Sequence, residues 1–427
     1  MENLLLVFGK LVLKFSKTFN LGHGSTWPGH IAVESDPRFV KKVLNKNPHL
    51  KTIIIAGTNG KTTTTKLLKH ILKKDGKKVF SNESGANLLN GIASSIIRNA
   101  DLTGKLPFDI AIFEVDENNL PLVLKEIEPD VLVLLNLFRD QLDRYGEVNT
   151  IAVKWKEALL EMGDKTMIVA NGDDPELTYI SQLSQNKVEF FGLDEKEMEK
   201  KEITNDADFL FCPNCQKRLK FNSLVFSHLG NYKCDSCGFT HPKTTTFAQF
   251  KNPLFGIYNK YNLNAALLVS EIILGRKTDK NELSDFHAAF GRQESLSYDG
   301  KDVVMLLSKN PTGLNQSINA VLGIAKEQDS ILLALNDRIP DGRDVSWIWD
   351  ADFEKLTKFQ NITITGERAY DLGIRVRHAT GEIEEVIPDF KEALDKACRK
   401  TNGQVFVLPT YSAMLELRKV ITGRKIL

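Results

Sequence analysis

The 427-residue chain has only five cysteines, too few for a disulfide framework. Four of them stand in two close pairs, a pattern that points to a metal ion and a reducing, cytoplasmic compartment. A charge of one sign is also missing, since 56 Lys and Arg face 55 Asp and Glu and leave a net charge of +1. No broad field exists to gather a polyanion, so nucleic acid is not an expected partner. No uncharged run approaches the roughly 20 residues that span a bilayer. The apolar start, Leu4, Leu5, Leu6, Val7 and Phe8, is interrupted by Lys10, Lys14 and Lys17. It is followed by no small-residue cleavage site, so a secretory signal is not expected. Internal repeats and low-complexity tracts are absent as well. What remains is an ordinary globular chain, longer than the roughly 250–300 residues at which single cores stop growing, so two domains are expected.

Helical spacing puts Leu4, Phe8, Leu11 and Phe15 on one face of an N-terminal helix. That face is expected to pack on the core, with a membrane-surface or partner helix as the alternative. From residue 51 to about 191, short apolar runs at 52–56, 110–113, 131–135 and 167–169 alternate with helical stretches. Each run ends in a polar cluster: a glycine loop, Glu114-Val115-Asp116, Asn136, and Asn171-Gly172-Asp173-Asp174. Continuous apolar strands separated by helices imply a parallel sheet covered on both faces, with ligands beyond the strands' carboxyl ends. Helical pattern resumes at 258–274, and a second alternating series follows with strands at 303–307, 331–335, 361–365 and 404–408. The expected fold class is therefore α/β. Residues 1–295 are expected to form the first domain, with an insertion at about 207–242, and residues 296–427 a smaller Rossmann-like domain.

The first strand leads into Gly57-Thr58-Asn59-Gly60-Lys61-Thr62-Thr63 and then into a helix. Glycines let backbone N–H groups approach phosphates, and the helix start adds its positive dipole end. Lys61 can reach the β- and γ-phosphates of ATP, and the Thr62 hydroxyl can ligate Mg²⁺. The first glycine of the common G-x-x-x-x-G-K-T pattern would fall at Ile55, so Gly57 makes a narrower variant.

Cys212-Pro-Asn-Cys215, 18 residues, then Cys234-Asp-Ser-Cys237 has the spacing of a Cys₄ zinc ribbon. Four thiolates leave no open position, so the Zn²⁺ is expected to be structural. The remaining cysteine, Cys398, lies on a helical stretch without the glycine-flanked turn that exposes a nucleophile. Glutamine hydrolysis needs an activated cysteine and a histidine, so any ammonia must come from solution or from another subunit. His23 and His30 flank a glycine-rich loop with no Cys, Asp or Glu at ligand spacing, and are expected to face solvent.

The narrower loop resembles that of the Mur ligases and folylpolyglutamate synthases, which make amide bonds through acyl phosphates. Further motifs follow in that family's order. Glu114 matches its Mg²⁺-holding glutamate. Tyr258-Asn259-Lys260-Tyr261-Asn262 is similar to the asparagine motif that meets adenine, and Gly291-Arg292-Gln293-Glu294 to the segment closing the central domain. The resemblance thus implies an ATP site of Gly57, Thr58, Asn59, Gly60, Lys61, Thr62, Thr63, Asn259 and Arg292, with Lys61 and Glu114 catalytic. Where Mur ligases carry Asp-His-Leu-Asp, this chain has Asp140-Gln141-Leu142-Asp143, which puts a second metal in doubt.

The ribbon, with Lys309-Asn310-Pro311-Thr312-Gly313-Leu314-Asn315-Gln316, the stretch from Asp341 through Trp347-Ile348-Trp349-Asp350, Gly366-Glu367-Arg368-Ala369 and Leu408-Pro409-Thr410-Tyr411, resembles the MurT family. Its members are synthetase subunits of lipid II isoglutaminyl synthase. The resemblance implies amidation of the α-carboxyl of D-glutamate in lipid II, with ammonia from a GatD glutaminase subunit in a heterodimer. It implies cytoplasmic work, with peripheral contact at the inner membrane face left open. It also implies that Asp350 completes a Cys-His-Asp triad with the partner, although Asp is equally a preferred helix N-cap, here for 351–358. Lys309 and Asn310 would line the acyl-phosphate or nucleotide site, or form a strand-end turn. An amino-acid ligase of the Mur or folylpolyglutamate type, and a P-loop ATPase using its ribbon for interaction, stand as alternatives.

Overall fold

A computed structural model describes residues 2–18, 26–82, 85–140, 147–194, 196, 198, 203–204, 206–287, 291–381 and 385–423, with side chains of the first helix only through residue 13. Gln141, His23 and Phe15 lie outside these descriptions.

Six parallel strands form the first sheet: β1 (Lys51–Ala56), β2 (Val79–Ser81), β3 (Ile110–Val115), β4 (Val131–Leu134), β5 (Met167–Asn171) and β6 (Val188–Phe191). Their order is β2-β3-β1-β4-β5-β6, so β1 is flanked by β3 and β4. Alternate residues of β1 serve opposite cores. Ile54 and Ala56 pack with the helices Leu89–Asn99 and Val148–Glu161, whereas Ile53 and Ile55 pack with Lys61–Lys74 and Ile257–Leu274. Burial on both faces explains the uninterrupted apolar runs.

An antiparallel hairpin, β7 (Lys220–Phe226) and β8 (Leu229–Lys233), carries the cysteine segment. The second sheet contains β9 (Arg292–Tyr298), β10 (Lys301–Leu306), β11 (Ser330–Ala334), β12 (Ile362–Thr365), β13 (Glu385–Val386) and β14 (Val405–Pro409). It is ordered β13-β12-β11-β14-β10-β9, parallel except for the antiparallel edge pair β9–β10. The edge strand begins at Arg292, a stretch with no apolar run to announce a strand.

Three expectations are corrected. The N-terminal helix, Glu2–Thr18, exposes Leu4, Phe8 and Leu11 and buries Leu6, with Leu5 and Leu13 packed beside it. The reason is Gly9, whose hydrogen lies where a Cβ would meet Ile97 at 2.9 Å. The helix approaches closest along the small residue, not along its most apolar stripe. Second, Trp27–Ser35 is a helix, so residues 27–29 are not part of a loop before His30. Gly29 lies flat on the helix Leu89–Asn99, its amide donating to Ser94 Oγ at 2.8 Å. Third, Asp350 ends a short 3₁₀ turn, Ser346–Asp350, and the next one, Phe353–Lys358, is preceded by Asp352, so Asp350 caps no helix.

Candidate active site and metal centre

The loop after β1 is shaped by two approaches too close for a side chain. At Gly57, φ is +149°, and a Cβ would lie 2.9 Å from that of Leu135. At Gly60, φ is +91°, and a Cβ would stand 2.1 Å from Asn262 Oδ1. Asn136, at the end of β4, fixes the loop between them. Its Oδ1 accepts from Asn59 N at 2.8 Å and its Nδ2 donates to Asn59 O at 3.0 Å. The helix Lys61–Lys74 starts directly behind, so its free N–H groups face the loop's concavity.

Lys61 is buried and donates to the carbonyls of Gly57 and Thr58 and to Glu117 Oε2, the last at 3.0 Å. Thr62 Oγ1 donates to Glu114 Oε2 at 2.7 Å. Burial drives the Glu114 pKa up, opposed by Thr62, Lys61 and Arg292. A carboxylate so short of compensation beside a threonine hydroxyl fits a hard divalent cation, which favours oxygen donors. Glu117 is equally buried, but Lys61 and Lys309 outweigh the burial and hold its pKa low. Lys309, after β10, forms an ion pair with Asp140. Burial opposes its charge, but Asp140 and Glu117 raise its pKa and keep it cationic.

The second sheet closes over this loop. Asn310 caps the helix Pro311–Leu322 by accepting from Gly313 N at 2.7 Å, and exchanges amide contacts with Asn59 at 3.3 Å. Between the two sheets lies a cavity of about 60 Å³ lined by Gly60, Thr63, Asn259, Asn262, Arg292 and Gln316, among others. Asn259 Nδ2 donates to Phe255 O at 2.8 Å and its Oδ1 accepts from Asn262 Nδ2 at 3.0 Å. The loop and the asparagine motif are thus locked together through Asn262. A nucleotide base there would sit on Phe138, Phe226 and Leu254.

The sequence reading missed Glu117, Arg139 and the use of Asn262. Glu117 stands three residues past Glu114 in the same strand-end segment, which was a usable signal. Arg139 had none. It reaches Asp208 Oδ1 at 2.5 Å and Asp350 Oδ2 at 3.3 Å, both far away in sequence. The polar cluster at the end of β5 is engaged within the protein. Asp173 and Asp174 are fully buried; Asp173 takes His241 at 2.8 Å and Tyr261 at 2.7 Å, and Asp174 caps the helix Pro175–Leu183.

Asp350 is one of several aspartates in this region, among which Asp344 is exposed and accepts from Ser346 N at 2.8 Å. Asp341 is buried and accepts from Ser412 N at 2.9 Å, Asp337 pairs with Arg368 at 2.9 Å, and Asp352 pairs with Lys355 at 2.9 Å. Asp350 keeps 39% of its side chain exposed, with Arg139 as its partner. Cys398 is buried, and burial pushes its thiol up to about 11.

The four ribbon sulfurs lie within 4.8 Å of one another, with Cys212–Cys237 at 3.6 Å and Cys215–Cys234 at 3.4 Å. Tetrahedral thiolates at about 2.3 Å from Zn²⁺ are about 3.8 Å apart, so the set fits zinc. Two equivalent turns create it. Gln216 N donates to Cys212 O and Gly238 N to Cys234 O, each turn residue having positive φ. The backbone N–H of Phe239 lowers the Cys237 thiol to about 6, while burial pushes the Cys212 thiol up to about 12. Tyr232 stacks on Phe239 beneath the cluster and donates to Gly172 O, which fastens the ribbon to the first sheet.

The Mur ligase middle domain family matches residues 55–270, and the MurT ligase C-terminal family matches residues 307–414. The subunit MurT of the glutamine-hydrolysing lipid II isoglutaminyl synthase of Streptococcus pneumoniae is 33% identical, over 95% of this chain and 94% of its own length. That of Staphylococcus aureus is 32% identical with the same coverage. Among solved structures, a type C pseudomurein peptide ligase from Methanothermus fervidus superposes with a TM-score of 0.66 at 23% identity, covering 90% of this chain and 84% of that one. MurF ligase from Thermotoga maritima with ADP reaches 0.62 at 18% identity, covering 92% and 84%; both show the fold. On this full-length similarity the chain belongs to the MurT family, ATP-dependent ligases built on the Mur ligase fold.

Proposed function

We propose that this chain is the synthetase subunit of a lipid II isoglutaminyl synthase. It phosphorylates the α-carboxyl of D-glutamate in the stem peptide and replaces the phosphate with ammonia released from glutamine by a GatD-type subunit. The observation that carries this reading is the 33% identity over 95% of the chain to a protein of that name. Residues 1–295 would hold ATP and residues 296–427 would close over it and receive the partner.

The chain's own groups support each step. Backbone N–H groups of the 57–60 loop and the start of the following helix bind the phosphates. Lys61, directed by Glu117, stabilises charge on the transferring phosphoryl group. Thr62 and Glu114 would hold Mg²⁺, which neutralises phosphate charge. Asn259 and Arg292 line the nucleotide cavity. Lys309, held cationic, faces the place where a substrate carboxylate would become an acyl phosphate. The Cys212, Cys215, Cys234 and Cys237 set would hold Zn²⁺ as a structural ion, with no open position for chemistry. Asp350, half-exposed, would accept a hydrogen bond from the partner's histidine and fix its tautomer.

The test is amidation of lipid II, read by mass spectrometry, with ATP and either glutamine or ammonium chloride. The chain mixed with its glutaminase subunit should use both nitrogen sources. Lys61→Ala should lose both, while Asp350→Asn should lose glutamine and keep ammonium. Joining of an amino acid to a precursor by the chain alone would overturn the reading in favour of an amino-acid ligase.

A further inference from the structure

The hairpin that carries the metal centre also reaches the nucleotide cavity. The cysteine turns stand at its open end, before Lys220 and after Lys233, and its closed end places Phe226 and Leu229 in the cavity wall. The Phe226 ring meets those of Tyr261 and Phe138, with centroids 5.9 Å and 6.2 Å away, and both of these line the same cavity. The surface on which a base would rest is therefore built partly by the ribbon.

Asp173, just past β5, ties the same two places a second time. Its side chain is wholly buried. Oδ1 meets Nε2 of His241, four residues beyond Cys237, at 2.8 Å. Oδ2 accepts from Tyr261 Oη at 2.7 Å and from Leu193 N at 3.1 Å. The Asp173 carbonyl accepts from Gly230 N of β8 at 3.0 Å. Tyr261 stands between Asn259 and Asn262 on the helix Ile257–Leu274. One carboxylate thus holds the ribbon by one oxygen and the asparagine motif by the other. The ribbon in turn depends on its ion for order, because its own small core of Leu219 and Tyr232 is completed by two of the metal-binding thiols, Cys212 and Cys234. Loss of the ion would free His241 and the Phe226–Leu229 wall together.

We propose that Asp173 is a positioning residue that couples the metal centre to the nucleotide site, so that Zn²⁺ and ATP each bind more tightly in the presence of the other. The proposal rests on the nucleotide reading above. A ribbon ordered by Zn²⁺ presents His241 to Asp173, which holds Tyr261 and with it the turn of Asn259 and Asn262. A nucleotide resting on Phe226 holds the hairpin in the geometry that gathers the four thiolates. Such coupling is reciprocal by thermodynamic necessity.

Two measurements on the full chain test the proposal. The first needs no variant: Zn²⁺ affinity, set against a chromophoric chelator, should rise about tenfold with a saturating non-hydrolysable ATP analogue, within the roughly 5- to 150-fold range of such couplings. The second uses His241→Phe, which keeps a ring against Tyr232 and touches neither the cavity wall nor the thiolate set. It should raise the Kd of the analogue about tenfold, the worth of one hydrogen bond to a charged group. Tyr261→Phe should cost about as much, and the double variant little more than either, because both act through Asp173. A merely structural contact would lower the melting temperature of His241→Phe and leave that Kd unmoved. That result, additive losses in the double variant, or a Zn²⁺ affinity indifferent to the analogue overturns the coupling. Failure of the unsubstituted, zinc-loaded chain to bind the analogue overturns instead the nucleotide reading.

Discussion

Replacing Gly60 by alanine probes whether the phosphate loop and the asparagine motif are one mechanical unit. Two costs arise. The residue has φ +91° and ψ −13°, a left-handed conformation that costs an L-residue about 1–2 kcal/mol. The new Cβ would also lie 2.1 Å from Asn262 Oδ1, so that amide must turn away. Turning it breaks the 3.0 Å bond to Asn259 and the 3.4 Å contact from Thr64, worth about 1 kcal/mol together. The sum, about 2–3 kcal/mol, falls on a loop that must be in place to bind nucleotide. If the whole cost is paid on binding, Kd for ATP rises on the order of 30- to 150-fold. Titration calorimetry with a non-hydrolysable ATP analogue measures that directly. The double variant Gly60→Ala/Asn262→Ala keeps the backbone strain and lacks the same two bonds, so it should bind about as the single variant does, the cost of Asn262→Ala alone not adding to that of Gly60→Ala. If the two losses add in full, the collision contributes nothing and the argument for a locked unit is refuted.

Other perturbations follow from the same geometry. Cys215→Ser should abolish stoichiometric zinc, measured by mass spectrometry of metals, and unfold the ribbon, since such sites carry roughly 10–16 kcal/mol of apparent binding energy. Glu176→Gln tests a buried carboxyl whose pKa is raised to about 7 by burial first and Asp174 second. A raised folded pKa disfavours the ionised native form above the unfolded value near 4.5, so the penalty grows from there up to about pH 7. The glutamine variant should therefore gain up to about 3 kcal/mol of urea stability at pH 8 and little at pH 5. Arg375→Ala removes a buried guanidinium that bonds Ala351 O at 2.7 Å and lies 5.6 Å from Trp349 and 5.4 Å from Phe353. Loosening the segment that carries Asp350 should cut glutamine-dependent amidation by about tenfold or more, the worth of such a charged hydrogen bond, and spare the ammonium-dependent reaction.

The sequence by itself determined the elements whose chemistry is local. The strand–glycine loop–helix order at 51–74 follows from an apolar run, two glycines and a Gly-Lys-Thr start, because backbone access to phosphate needs those residues in that order. The two C-x₂-C turns are equally local, since each thiolate pair is aimed by its own turn. Four of the six parallel strands of the first sheet announced themselves because both of their faces are buried, whereas the short edge strands β2 and β6 did not. Tertiary structure alone decided what depends on distant meetings. Arg139 and Asp350 are 211 residues apart and Asn59 and Asn310 are 251 apart, and no spacing rule links them. The same is true of Gly9, whose fit against Ile97 chose the buried face of the first helix over its more apolar one. The polar cluster at Asp173 was legible as a strand end but not as the anchor of the ribbon, because only the inserted hairpin, folded back, brings His241 to it. Periodicity records which residues avoid water; which partners they meet when they do so is set by packing.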